Sequence, residues 1–204
     1  MTKKWTIPYL VSLMEKKIAS HRLLVSLLSR YYRKVVSREV NLAGVTSADQ
    51  VLCVGCGGIP STAIQTAKLT GAQVWAIDID GEAVEAARRS IASLKMEEQI
   101  IAAEADGAGE IPFSFNVALV ALQAEPKKEI LDNLTKQGEP GVRLVFRRPR
   151  HHLFEQYDLL PSRPVPDRQV LQQQPTFDSS VLYLGNQENQ GNQGSFRHLK
   201  APAY

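Results

Sequence analysis

Cysteine is nearly absent from this chain: Cys53 and Cys56 are the only two in 204 residues. Two thiols build no disulfide framework and close no zinc site alone. In "CVGC" they stand at C-x-x-C spacing, but a redox pair belongs at a helix start after a strand. Cys53 falls inside an apolar strand run, where a buried side chain is expected. Long apolar runs are lacking too, and none approaches the roughly 20 residues that span a bilayer. The opening "MTKKWTIPYL" has no apolar run followed by a small-residue cleavage site, so no secretory signal is read there. These absences leave an expectation of a cytoplasmic protein with no membrane span and no metal.

What is present is ordinary in amount and uneven in placement. Apolar residues make up 44% and charged residues 22%, enough for a core in a chain of this length. The net charge is +3, yet residues 1–50 carry nine Lys or Arg against three Asp or Glu. Such a surface attracts nucleic acid or acidic ligands, although a solvated helix face is the commoner reason for it. In 6–43 apolar positions recur every three or four residues (Ile7, Leu10, Val11, Met14, Ile18, then Leu24, Leu27, Leu28, Tyr31, Val35), which predicts helices ending at Gly44. This apolar helical preface covers a partner subunit as readily as its own sheet, so a homodimer is one expectation.

From residue 51 the pattern alternates. Apolar runs at 51–54, 74–77, 100–103, 115–122 and 142–146 read as strands, and 61–70, 82–94 and 126–136 read as helices between them. Another helix is expected over 150–160. "DRQVLQQQP" and "SSVLYLGN" then read as a final antiparallel pair. Strands alternating with helices predict α/β architecture: a Rossmann-like, doubly wound, mostly parallel sheet, with an N-terminal helical extension and a C-terminal antiparallel strand pair. The expected divisions are 1–45 for the helical segment, 46–185 for the Rossmann-like domain, and 186–204 for an Asn/Gln/Gly-rich tail.

The stretch "VLCVGCGGIPSTAIQTAKLTGAQVWAIDID" carries the chemistry. Gly55, Gly57 and Gly58 follow the first strand, and Ser61 and Thr62 open a helix. That order presents bare N–H groups and a helix N-terminus to a ligand at the carboxyl edge of the sheet. Asp78 ends the second strand, about 20 residues further on, where a carboxylate holds ribose hydroxyls. A dinucleotide site calls for a third glycine where Pro60 stands. Asp80 reads as the N-cap of the next helix.

"VLCVGCGG" with "AIDID" resembles the class I S-adenosylmethionine-dependent methyltransferases over roughly residues 45–147. The resemblance implies that Gly55, Cys56, Gly57 and Gly58 line the cofactor, Asp78 takes the ribose hydroxyls and Ile79 packs on adenine. Asp106 would meet the adenine amino group, with Leu122 and Gln123 beside the reactive centre. Such enzymes usually carry an acid two positions before the first glycine, which helps anchor the cofactor's ammonium; here that position is Cys53. "VGCGGIPSTAI" and the later "FNVALVALQAEPKKEILDNLTKQGEPGVRLVFRRPR" are also similar to nicotianamine-synthase-like proteins. Those use the same fold and cofactor but move the aminocarboxypropyl group, leaving methylthioadenosine.

"FRRPRHH" follows the fifth strand. Arg147, Arg148 and Arg150 are candidates for holding an acidic small substrate, and His151 and His152 for taking a proton. The expected function is an S-adenosylmethionine-dependent transferase, a methyltransferase first and an aminocarboxypropyl transferase second. A non-catalytic nucleotide-binding module is the third reading, and a nucleic-acid modifier using the basic N-terminal helices the fourth.

Overall fold

The computed structural model of the protein describes residues 21–185. The helical periodicity over Ile7–Ile18, the lysines at 3, 4, 16 and 17 and the polar tail at 186–204 lie outside the described residues.

Seven strands form one sheet in the order β3-β2-β1-β4-β5-β7-β6. They are β1 Gln50–Val54, β2 Gln73–Asp78, β3 Ile100–Glu104, β4 Val117–Val120, β5 Arg143–Pro149, β6 Arg168–Leu171 and β7 Phe177–Leu184. The first five run parallel. β7 inserts antiparallel between β5 and β6. Among the described residues four helices accompany them: α1 Arg22–Ala43, α2 Ser61–Thr70, α3 Gly81–Leu94 and α4 Lys127–Gln137. This is the mostly parallel sheet with an antiparallel C-terminal pair that the alternation of periods predicts.

The central strands are apolar on both faces because both faces are covered. Val51, Cys53, Val74, Ala76, Val117 and Leu119 meet α1, α2 and α3 in one core. Leu52, Val54, Ala118, Val120, Leu144 and Phe146 meet Ile130, Leu131 and Leu134 of α4 in the other. No helix joins β3 to β4. The segment between them, with Gly107, Gly109 and Pro112, has no helical period. It lies over the second face instead, with Phe113 stacked on Trp75 at 3.8 Å between ring centroids. Asn133 and Gln137 of α4 hold it by donating to the Gly107 and Gly109 carbonyls.

Two expectations are corrected. The helix over 150–160 is only a 3-10 turn at His151–Leu153. None of its residues is buried, so no packed face supports a longer helix. β4 is also shorter than the apolar run at 115–122. Its ladder stops where both neighbours stop pairing, at Val54 and Phe146. Phe115 and Leu122 are buried outside the ladder.

Candidate cofactor site and the loops around it

Strand order reverses between β1 and β4, so the loops after them form the crevice where ligands bind in this architecture. After β1 the chain turns through Gly55 and Gly57, with φ of +76° and +63°, values that L side chains rarely adopt. The N–H groups of Gly55 and Cys56 both donate to the Ile77 carbonyl, at 2.9 and 3.0 Å. A Cβ on Gly55 would stand 3.2 Å from the Cβ atoms of both Ala121 and Ala124. The glycine loop therefore lies directly against the β4–α4 loop. Buried Ser90 of α3 holds it from behind by donating to the Gly58 carbonyl at 2.9 Å. Gly55→Ala combines a left-handed backbone with that contact. It is expected to lower stability by about 1–2 kcal/mol in a urea melt; an unchanged midpoint would show that the loops yield freely.

Asp78 ends β2 at the edge of this loop. Its Oδ2 accepts the Gly57 N–H at 2.9 Å and its Oδ1 accepts the Asp80 N–H at 3.1 Å. A carboxylate has about four acceptor positions, so each oxygen retains one for a ligand hydroxyl. Asp80 is the N-cap of α3, accepting from the N–H groups of Glu82 and Ala83. Ile79 is 72% exposed beside it, an apolar platform at the rim. Asp106 is exposed and folds its own turn, Oδ1 accepting from Ala108 N–H at 2.8 Å. Gln123 is exposed, whereas the Leu122 side chain turns inward against Val35 and Phe177.

The residue before the loop departs from the usual acid, and the structure shows what surrounds it. Cys53 is buried, and burial pushes its thiol up to about 12, with Arg147 pulling down and Glu39 pushing up. It is neutral and anchors no ammonium. A carboxylate does lie close by, that of Glu39 on α1, but it is taken. Arg147 Nε and Nη2 donate to its two oxygens at 2.9 and 2.8 Å, and Ser180 Oγ donates at 2.7 Å. Arg147 Nη2 also donates to Thr62 Oγ1 at 3.0 Å, in the first turn of α2. Burial works to lower the Arg147 pKa, but the Glu39 carboxylate overcomes it and the net direction is upward.

This corrects the expectation for Arg147. It belongs to β5, is buried and is paired with Glu39 rather than displayed at the rim. Arg150 donates through Nε to the Gln174 carbonyl at 2.7 Å. Arg148 is exposed, as are His151 and His152 on the short turn after β5. Next to that turn is a cleft of about 770 Å³. Its charged lining is Glu125, Glu129, Glu155 and Asp158 against Lys128, whose ammonium is paired with Asp132 at 2.7 Å. The charged lining of the cleft is mostly acidic. Among the described residues no group of His, Cys, Asp and Glu is placed to hold a metal ion, and no helix is long and apolar enough to cross a membrane.

Two residues that matter here were not singled out from the sequence. Glu39 interrupts the buried stripe of Val35, Val36, Val40 and Ala43 on α1; a charge on an apolar stripe was the available signal. Lys127 opens α4, where the helix dipole favours acids, and it is fully buried.

A family model described as ribosomal protein L11 methyltransferase (PrmA) matches residues 36–146, more than half of the chain. The chain belongs to this family. It is a member of the class I S-adenosylmethionine-dependent methyltransferase superfamily, and S-adenosylmethionine is the cofactor that superfamily uses. The cradle fits it: bare backbone at Gly55 and Gly57, a half-buried carboxylate at Asp78 and an apolar platform at Ile79.

Solved structures share the fold. MtNAS, a nicotianamine synthase, in a mutant form in complex with S-adenosylmethionine, is 19% identical, with a TM-score of 0.74 over 86% of this chain and 72% of that one. An RNA methyltransferase from Salinibacter ruber in complex with S-adenosyl-L-homocysteine is 21% identical, with a TM-score of 0.60 over 79% of this chain and 97% of that one. Among curated proteins, L-histidine 2-aminobutanoyltransferase of Yersinia pestis is 35% identical over 69 residues. The matched part is 34% of this chain and only about a quarter (26%) of that relative's length.

Proposed function

We propose that this member of the superfamily transfers the aminocarboxypropyl group of S-adenosylmethionine to an amine, and that Cys53 is the observation that carries the choice. Where the amino-acid end of the cofactor is a spectator, an acid before the glycine loop is useful to hold its ammonium. Here the residue in that place is a neutral buried thiol, and Glu39, the nearby carboxylate, is occupied by Arg147 and Ser180. The amino-acid end is then free to be the part that is transferred. The curated relative from Yersinia pestis, named for placing a 2-aminobutanoyl group on L-histidine, supports the same reading.

When bound, the sulfonium supplies an activated carbon: an amine nitrogen forms the new N–C bond, the C–S bond breaks with its electron pair going to sulfur, methylthioadenosine leaves, and the amine gives up a proton. The residues of the chain divide the remaining work. Asp78 accepts the ribose hydroxyls, and the glycine loop brings backbone N–H groups close. The acids lining the cleft after β4 and β5 raise the local concentration of a cationic acceptor. His151 and His152, exposed on the same rim, are the candidates for taking the proton.

Methyl transfer is the second reading, supported by the description of the matching family model. The two are separated by the nucleoside formed when enzyme, S-adenosylmethionine and a panel of amines including L-histidine are incubated together. Methylthioadenosine with a conjugate bearing the four-carbon amino acid group is the expected product. S-adenosylhomocysteine in its place would overturn the proposal in favour of methyl transfer. Cofactor binding without either product across the panel would favour a binding module.

A further inference from the structure

Lys127 is a lysine in an unfavourable place. It is fully buried, at the positive end of a helix dipole. Its own N–H is met from outside the helix by the Asp158 carboxylate, since Pro126 before it offers no side-chain cap. Its ammonium donates to three carbonyls of a single loop: Ala121 at 3.1 Å, Leu122 at 2.8 Å and Ala124. Three donors meet three acceptors, which is all an ammonium has to give. These carbonyls belong to the β4–α4 loop, whose Ala121 and Ala124 methyls abut Gly55. A buried charge is costly unless fully hydrogen-bonded, and this one is spent entirely on loop backbone.

We propose that Lys127 is a positioning residue for the transfer reaction: its ammonium draws the carbonyls of Ala121, Leu122 and Ala124 inward and so fixes the β4–α4 loop against Gly55, with Gln123 presented at the reactive rim. The role in transfer rests on the reading of this rim as the cofactor site; the locking of the loop does not. Deprotonation removes one donor and turns a lone pair toward a carbonyl, so the lock weakens as the amine becomes neutral. Burial pushes the Lys127 ammonium down to about 8, while Asp158 from the segment after β5 and Glu125 from its own loop draw it up and Arg147 of β5 draws it down.

The test is Lys127→Met in the full chain, which keeps length and apolar stem and removes the charge. Amide hydrogen exchange of residues 121–125 is measured in the free protein. Loss of the charge-assisted bonds is expected to lower protection there by about tenfold or more, with the β2–β3 ladder unmoved. S-adenosylmethionine affinity should stay within about threefold while turnover falls by about 100-fold, the cost of misplacing a reacting group. Should the variant fail to fold, the wild type answers the same question. Loop protection, corrected for intrinsic exchange, should fall with a one-proton midpoint of about 8. A loop unmoved in the folded variant, or a wild-type loop indifferent to pH between about 7 and 9, would overturn the lock. A folded variant with a loosened loop and unchanged turnover would overturn the role in transfer. Failure of the wild type to bind S-adenosylmethionine would instead overturn the reading of the rim, so the two failures are distinct.

Discussion

Asp78→Ala is expected to lose S-adenosylmethionine binding by about 100-fold or more. Two ribose hydroxyls donating to a carboxylate are worth about 1.5–3 kcal/mol each, and every 1.4 kcal/mol is about tenfold in affinity. The side chain has a second duty, because it also accepts the Gly57 and Asp80 N–H groups. The alanine variant therefore loosens the glycine loop and the entry to α3 as well. Asp78→Asn separates the contributions. It keeps an oxygen for one backbone N–H but presents an NH2 where the other acceptor was, so most of the affinity should be lost with a smaller effect on stability. Calorimetric titration, with NAD as the control ligand, measures both variants. Wild-type-like affinity in Asp78→Ala would place the ribose elsewhere. Binding of NAD as tight as that of S-adenosylmethionine would also contradict the reading, since Pro60 replaces the glycine that a pyrophosphate site calls for.

Glu39→Gln is expected to destabilise the protein by about 3–5 kcal/mol, because it leaves the Arg147 guanidinium buried without its counter-charge. For a chain of this size that is a fall in melting temperature of about 6–20 °C. Arg147 gains some compensation from the rings of Tyr32 and Phe177, whose centroids lie 5.8 and 5.3 Å from its central carbon. Neither ring replaces two charge-assisted hydrogen bonds. Replacing both partners together, as Glu39→Met with Arg147→Met, should cost far less than either single change, since an apolar pair leaves no charge unpaired. A thermal melt or a urea titration of Glu39→Gln, of each single methionine variant and of the double variant tests this. A Glu39→Gln variant within about 1 kcal/mol of wild type would mean that water reaches the pair. The effect also reaches function. The pair ties α1 to β5, and through Thr62 to the first turn of α2, directly behind the glycine loop. Loss of the pair should weaken cofactor binding even though neither residue touches the rim.

The elements that were legible in the sequence are those whose cause is local. The limits of α2 were expected at 61–70 and found at Ser61–Thr70, because an apolar period begins after Pro60 and stops at Gly71. β1, β2 and β3 lie within one residue of the apolar runs that mark them. Asp80 as a cap is local too, since an aspartate before a helix accepts from N–H groups two and three residues on. The ends of β4 and the missing helix at 150–160 were not legible. Leu153, Phe154, Leu159 and Leu160 supply apolar residues there, but whether a helix forms depends on a continuous face being buried, and no residue of 150–160 is fully buried.

The alternation of strand and helix, the glycine loop, the carboxylate at the end of β2 and the thiol at position 53 can all be read along the chain. Each follows from residue type and spacing along a few turns of chain. What the charges do depends on the assembled fold. Arg147 meets Glu39 across 108 positions of sequence, and one arginine of a basic run that reads as a substrate clamp becomes a buried strut. Lys127 turns inward onto three carbonyls when its neighbour Lys128 pairs with Asp132 at the surface. A long polar side chain carries no local record of its partner. Its role is set by which desolvated group of opposite character the fold brings within hydrogen-bonding distance, and that is a property of the assembled chain.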